Sequence, residues 1–339
     1  MEKNYCVVFT GKKQVEIQEC EMPTPGANEV LIKSIVTQIS TGTDLTRLVQ
    51  NVDENSNWLR LKNYMDFPIF PGCSNVGEII AVGEGCDTSL IGKKVSSTLK
   101  HRKYGVCSIG NFDVLSDDIN PDDAAFQTLS VVALASIRAA KIKPGETVIV
   151  FGAGVVGQLV ARLVKIAGAI NVVVVDVSDN RLNYVPKRKG FYIVNSTKES
   201  VEEIVKNINY GKLADVVFET TGYHPLVEKE LKCIAKMGRL IITSSPKGAS
   251  NVDFQYCSGM GLTIIGAHNY TIHPPVETPN NPWTRSRDAK YFIRLLEHEE
   301  LSLKNMVTHK ENYTNAVKLY NLLMEDRTQA LAVHIDWRD

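Results

Sequence analysis

Six residues, Gly152-Ala153-Gly154-Val155-Val156-Gly157, fit the pattern G-x-G-x-x-G and sit between an apolar run at 147–151 and a helix-forming stretch at 154–167. Each glycine has its own use in binding a dinucleotide. The first allows a tight turn, the second lets the backbone approach a pyrophosphate, and the third lets helix and strand pack closely. The N-terminus of the following helix offers amides and the positive end of a dipole to the phosphates. Asp176 stands 24 residues beyond Gly152, at the end of an all-valine run. A carboxylate there can accept hydrogen bonds from the adenosine ribose hydroxyls and repel a 2′-phosphate, which favours NAD over NADP. Val155 and Val156 belong to the same turn, and Arg181 and Thr221 are taken as further cofactor contacts.

The elements that must hold this turn are legible around it. From Thr147 the chain alternates between strands (147–151, 171–176, 215–220, 238–244, 262–267) and helices (154–167, one from Asp179, 200–209, 225–236). That alternation predicts a doubly wound parallel sheet. Pro186 should keep the helix after Asp179 short. The first 120 residues read as β-rich, with strands at 30–36, 77–83 and 92–99 and a loop or short helix within 49–66. A helix is expected over 121–141, where Pro121 and two aspartates suit the first turn. The four prolines of 273–284 form a connector, followed by helices at 291–296 and 316–323 and a last strand at 330–335.

The bulk numbers exclude several classes. A chain of 339 residues can form two domains with real cores. It balances 38 basic against 38 acidic side chains, so charge gives no reason to expect nucleic acid or an anionic membrane as partner. No apolar run approaches the roughly 20 residues of a membrane span. The N-terminus does not read as a signal peptide, and the seven scattered cysteines form no C-x-x-C. The expected compartment is the cytoplasm, where those thiols stay reduced and the N-x-S/T triplets at Asn195, Asn269 and Asn312 carry no glycan.

At several points the chain resembles the medium-chain dehydrogenase/reductase family, the superfamily of zinc alcohol and polyol dehydrogenases. Residues 25–33 are similar to the family's opening strand, 72–85 to its G-H-E-x-x-G motif, 142–176 to its cofactor unit, and 215–222 to a later strand. The resemblance implies a Rossmann-type doubly wound sheet plus a β-rich, GroES-like catalytic domain. It places the catalytic domain at 1–120 and 270–339 and the dinucleotide-binding domain at 121–269. It also implies a small-molecule substrate and a homodimer or homotetramer, paired through the sheet edge at 262–267.

The departures from the family bear on the chemistry. Where the family has the zinc-ligating cysteine of C-G-T/S-D, this chain has Thr41-Gly42-Thr43-Asp44. Its G-H-E becomes Gly72-Cys73-Ser74, the third ligand position falls at about Thr128, and the four-cysteine structural loop retains only Cys107. The expectation is a zinc-free enzyme, because a catalytic zinc needs three protein ligands. Hydroxyl donors must then hold the substrate oxygen and relay its proton. Thr43 matches the family's relay hydroxyl, Thr41 and Ser74 are candidate donors, and Asp44 is expected to support the loop. A relocated metal held by Cys73 with His101 or His268 is an alternative, and these two histidines are also candidate catalytic groups. His224, His298, His309 and His334 have no motif to support them.

The leading expectation is NAD-dependent interconversion of a secondary alcohol (a sugar, cyclitol or aminopolyol) and its ketone. One alternative is a zinc-free reductase of quinones or activated double bonds, whose substrates delocalise the developing charge themselves. Another is a catalytically decayed NAD-binding protein.

Overall fold

The computed structural model describes residues 2–54 and 56–339. The chain divides into two compact units: Met1–Val52 with Trp58–Thr128 and Ala289–Asp339, and Asp53–Asn57 with Leu129–Asp288. Where the expected boundaries were 120 and 270, residues 121–128 lie with the first unit and residues 270–288, with the connector at 273–284, lie with the nucleotide-type unit. Among the described residues no helix is long and apolar enough to cross a membrane.

The second unit is built on six parallel strands. Their spatial order is Phe191–Asn195, Asn171–Asp176, Thr147–Phe151, Ala214–Glu219, Ile234–Ile242 and Thr263–Gly266. Val172, Val173, Val174 and Val175 are all buried. An unbroken run of β-branched residues is what a strand needs when helices cover both faces of its sheet.

The strand Phe191–Asn195 was not expected from the sequence. Its burial pattern is mixed, with Ile193 exposed, because it is an edge strand with one neighbour. The helix expected at 225–236 is a correction of another kind. Only Val227–Lys232 is α-helical, and from Ile234 the chain is already a strand, paired with Ala214–Glu219 and Thr263–Gly266. Ile234 pairs Ala214, the register shifts, and from Arg239 the ladder runs on both sides, which outweighs the helical propensity of the short segment at 234–236. The helix after Ser178 is short, as Pro186 suggested: it spans Asp179–Leu182, with the Ser178 hydroxyl accepting from the Arg181 amide.

The first unit carries a mostly antiparallel seven-stranded sheet. Its path runs Val307–Asn312, Ala332–Asp336, Glu29–Gln38, Asn75–Val82, Lys94–Ser97 and Phe112–Val114, with Tyr104–Ser108 also pairing Glu29–Gln38. A separate hairpin joins Asn4–Gly11 to Gln14–Cys20. One core of this unit packs Val7 and Phe9 of the hairpin against Leu48, Tyr320 and Trp337. The expected 121–141 helix is interrupted. Asn120 caps a short turn, Pro121–Ala124, and a new helix runs Gln127–Ala140.

Candidate active site

In the nucleotide-type unit, the glycine turn joins the fully buried strand Thr147–Phe151 to the helix Val155–Ile166. Gly152 has φ +99°, a region open to glycine, and a methyl group there would stand 2.7 Å from the Thr220 hydroxyl. A Cβ on Gly157 would lie 1.8 Å from the Gly152 carbonyl oxygen, so helix and strand touch backbone to backbone. Gly154 is different: a Cβ there would meet nothing within 4 Å. It caps a helix that has no side-chain cap, so a phosphate can reach the first-turn amides. The residues present therefore fit a dinucleotide.

Asp176 ends its strand with one oxygen on the backbone of that turn and the other on the backbone just beyond its own strand. Oδ2 accepts from the Ala153 amide at 2.7 Å and Oδ1 from the Ser178 amide at 2.9 Å. A carboxylate has about four acceptor positions, so two remain for ribose hydroxyls. Val155 is buried and Val156 half-buried in the first helical turn, and Arg181 lies in the short helix after Ser178. Thr221 is held by a residue that the sequence did not single out. Glu219 accepts from the Thr221 amide and hydroxyl, both at 2.6 Å, from the Gly222 amide at 2.9 Å, and from the Ser244 hydroxyl. His268 is exposed beside the helix Asn269–Ile272, its ring 5.7 Å from that of Tyr270.

In the other unit, one buried carboxylate organises the hydroxyl-bearing loops. Asp44 Oδ2 accepts from the Ser40 amide at 2.9 Å, and Oδ1 from the Gly72 amide at 3.4 Å. That clamp joins the loop carrying Thr41 and Thr43 to the one carrying Cys73 and Ser74. Thr41, Thr43 and Cys73 are half-buried, and Ser74 is buried. Gly72, at φ +103°, has the His101 backbone nitrogen 2.6 Å from the position of a Cβ.

His101 is fully buried, with Nδ1 2.8 Å from the Thr37 hydroxyl and Nε2 3.4 Å from Asp44 Oδ2. Thr37 also accepts from the Trp337 indole at 2.9 Å. With both ring nitrogens engaged inside the core, His101 is placed to support the Asp44 clamp rather than to meet a substrate.

Comparison with known proteins agrees with this architecture. A family model described as zinc-binding dehydrogenase matches residues 155–280. L-threonine 3-dehydrogenase of Pyrococcus furiosus is 27% identical over 340 positions, covering 90% of this chain and 91% of that protein. D-xylulose reductase of Saccharomyces cerevisiae is 26% identical over 297 positions, covering 77% and 80%. The crystal structure of 2R,3R-butanediol dehydrogenase from Bacillus subtilis superposes with a TM-score of 0.82 at 19% identity, covering 99% and 100%. The chain is thus similar over most of its length to zinc-type medium-chain dehydrogenases and shares their two-unit fold.

A medium-chain dehydrogenase of the zinc type would hold its metal at the positions of Thr41, Cys73 and Thr128. The donors present do not fit. Two are neutral hydroxyls, and Thr128 Oγ1 is donated to the Cys73 carbonyl at 2.9 Å. Zinc takes thiolate, imidazole or carboxylate, and among the described residues no three such side chains gather into a metal-holding group.

Proposed function

We propose that this chain is a medium-chain dehydrogenase that uses NAD to interconvert a secondary alcohol and its ketone without zinc, and that its substrate is a sugar, cyclitol or aminopolyol. The observation that carries this reading is a complete glycine turn in one unit and, in the other, two loops bearing Thr41, Thr43 and Ser74 that Asp44 clamps together. The relatives' names include threonine, xylulose and butanediol, compounds with a hydroxyl or carbonyl on a secondary carbon, which supports the same substrate class.

The turn at Gly152–Gly157 holds the pyrophosphate against the helix N-terminus, and Asp176 takes the ribose hydroxyls. The bound nicotinamide supplies an acceptor or donor of hydride. The chain's own task is to orient the substrate oxygen and handle its proton. Thr41 and Ser74 donate hydrogen bonds to that oxygen, and Thr43 is the hydroxyl through which the proton leaves. Hydrogen bonds of this kind stabilise a developing alkoxide less than a Lewis acid does, so activated substrates should react fastest.

The test is NADH formation with NAD across a panel of polyols, cyclitols and aminopolyols. Turnover of at least one is expected, and tight NADH binding with no turnover of any alcohol or ketone would contradict it. We also infer a homo-oligomer formed through the edge strand Thr263–Gly266, where Ile264 is exposed and one side of the backbone has no ladder partner. Sedimentation as a dimer or tetramer of the 37.6 kDa chain is expected, and a monomer at micromolar concentration would overturn it.

A further inference from the structure

Beside the hydroxyl-bearing loops, two paired strands and the residue that precedes a third place polar side chains in one row. His334 pairs directly with Gln38 in the antiparallel ladder, and the Gln38 amide donates to the Ser74 carbonyl at 3.0 Å. Directly paired residues project from the same face of a sheet, with Cβ atoms about 5 Å apart. Gln38 and His334 are 0% exposed and Ser74 is 1%. Four polar atoms of this row, Gln38 Oε1 and Nε2, Ser74 Oγ and His334 Nε2, have no hydrogen-bond partner among the described residues.

A dry row of that kind would cost the desolvation of every one of those atoms. Buried water makes about three hydrogen bonds to such groups and is the ordinary remedy.

The two ends of the row differ. Ser74 follows Cys73 on the loop clamped by Asp44. At the other end His334 Nδ1 is 2.9 Å from Asp122 Oδ1, whose side chain is 26% exposed, and Lys310 donates to Asp122 Oδ2 at 2.7 Å. The other group packed on the imidazole is the Phe126 ring, at 5.5 Å. An Nδ1–H donated to Asp122 leaves the Nε2 lone pair facing inward. Burial pushes His334 below the usual histidine range, against the raising influence of Asp122 and with a smaller lowering one from Lys310. The ring is therefore neutral and able to accept a proton near pH 7.

We propose that Ser74, Gln38 and His334 hold a file of ordered water that carries the substrate hydroxyl's proton to His334 and, beside Asp122, to solvent. The inference rests on the dehydrogenase reading. In the oxidation, the carbinol C–H bond breaks and its electron pair goes as hydride to the oxidised nicotinamide. The O–H bond breaks, its pair becomes the carbonyl π bond, and the proton passes by the Thr43 hydroxyl into the water and along it to His334 Nε2. The imidazolium stands against the Asp122 carboxylate until solvent takes the proton. In ketone reduction the same path runs inward. His334 and Gln38 act through water, so they are positioning residues and touch no substrate atom.

The experiment joins a high-resolution crystal structure of the full chain to the pH profile of kcat with NAD and the best substrate of the panel. Ordered waters on Gln38, Ser74 and His334 are expected. In the parent enzyme, kcat for oxidation should fall on the acid side with an inflection below the usual histidine range. His334→Gln should lower kcat about 100-fold, leave KM within twofold and abolish that inflection. Gln38→Leu keeps the volume, removes two of the unpartnered groups and should lower kcat with NADH binding intact, which controls for misfolding of the histidine variant. An active enzyme whose row is dry, or whose profile is unchanged in both variants, overturns the inference alone. No turnover of the whole panel, even with a hydrated row, overturns the dehydrogenase reading and the proton path with it.

Discussion

Gly157 and Gly154 are two glycines of one turn with opposite surroundings, and substitution should separate them. A methyl on Gly157 would overlap the Gly152 carbonyl, whereas a methyl on Gly154 would enter open space. Gly157→Ala should therefore destabilise the chain by about 1–3 kcal/mol, as overpacking does. Gly154→Ala should shift stability by no more than about 1 kcal/mol, the usual scale of a cap change, yet weaken NADH binding severely. Thermal melts and NADH titration of both variants check this, and equal melting temperatures would contradict it. Asp176 supports the turn with one oxygen, and in the proposed function the same carboxylate selects NAD. Asp176→Asn keeps the volume and one acceptor oxygen but removes the charge, so the preference for NADH over NADPH should fall by about tenfold or more, roughly 1.4 kcal/mol. Competitive titration reads it directly, and an unchanged ratio would remove Asp176 from that role. The glycine turn, the helix start and the strand end at Asp176 were legible because each is local in sequence. His334, Gln38 and Glu219 were not. Their surroundings are set by strand pairing across the chain, and a single polar residue in an apolar strand announces nothing by itself.

Among the elements, the helix Val227–Lys232 carries a buried acid with an energetic consequence. Glu230 is fully buried, and neither carboxylate oxygen has a hydrogen-bond partner among the described residues. Burial, with a smaller contribution from Glu219, pushes its carboxyl up to about 9 from an ordinary value of 4.5. An acid whose folded pKa is raised must take up a proton on folding wherever the unfolded chain would ionise it. Its contribution is thus most favourable below about pH 4.5 and is lost as pH rises from there towards 9. Glu230→Gln removes the titration and should raise Tm at pH 8–9, with little effect near pH 5. Each pKa unit corresponds to about 1.4 kcal/mol, so a gain of about 2 kcal/mol or more at pH 8 is expected. Equal melting shifts at pH 5 and pH 8.5 would contradict it. The same region shows where sequence patterning stops. The central strands Thr147–Phe151 and Asn171–Asp176 were readable from continuous apolar runs, because helices bury both their faces. The edge strand Phe191–Asn195 alternates irregularly, and the strand Ile234–Ile242 begins in helix-favouring residues. Both owe their conformation to the neighbouring strand rather than to their own residues. The hairpin Asn4–Gly11 and Gln14–Cys20 escaped notice for a related reason, since the charged and polar residues of its outer strand break the hydrophobic signal.

For the molecule as a whole, the chain has the two-unit architecture of a medium-chain dehydrogenase and a cofactor turn with every glycine in use. Its first unit carries Thr41, Thr43, Cys73 and Ser74 on segments tied together by Asp44. Length, alternation of elements and the glycine turn made the fold legible in the sequence. The proposed replacement of metal donors rests on the resemblance, whose motifs indicate which positions to inspect. The loop clamp through Asp44, His101 and Thr37 was only half visible: an aspartate expected to support its loop was found, but its histidine partner read equally well as a catalytic group until its burial was seen. The central claim is that hydrogen-bond donors replace a Lewis acid here. The measurement that tests it most directly is NAD-coupled turnover of the best polyol or aminopolyol substrate, before and after exhaustive chelation, with bound metal quantified in both samples. The account predicts an unchanged kcat in protein holding far less than one zinc per chain. Activity that falls with the metal and returns on adding zinc would contradict it.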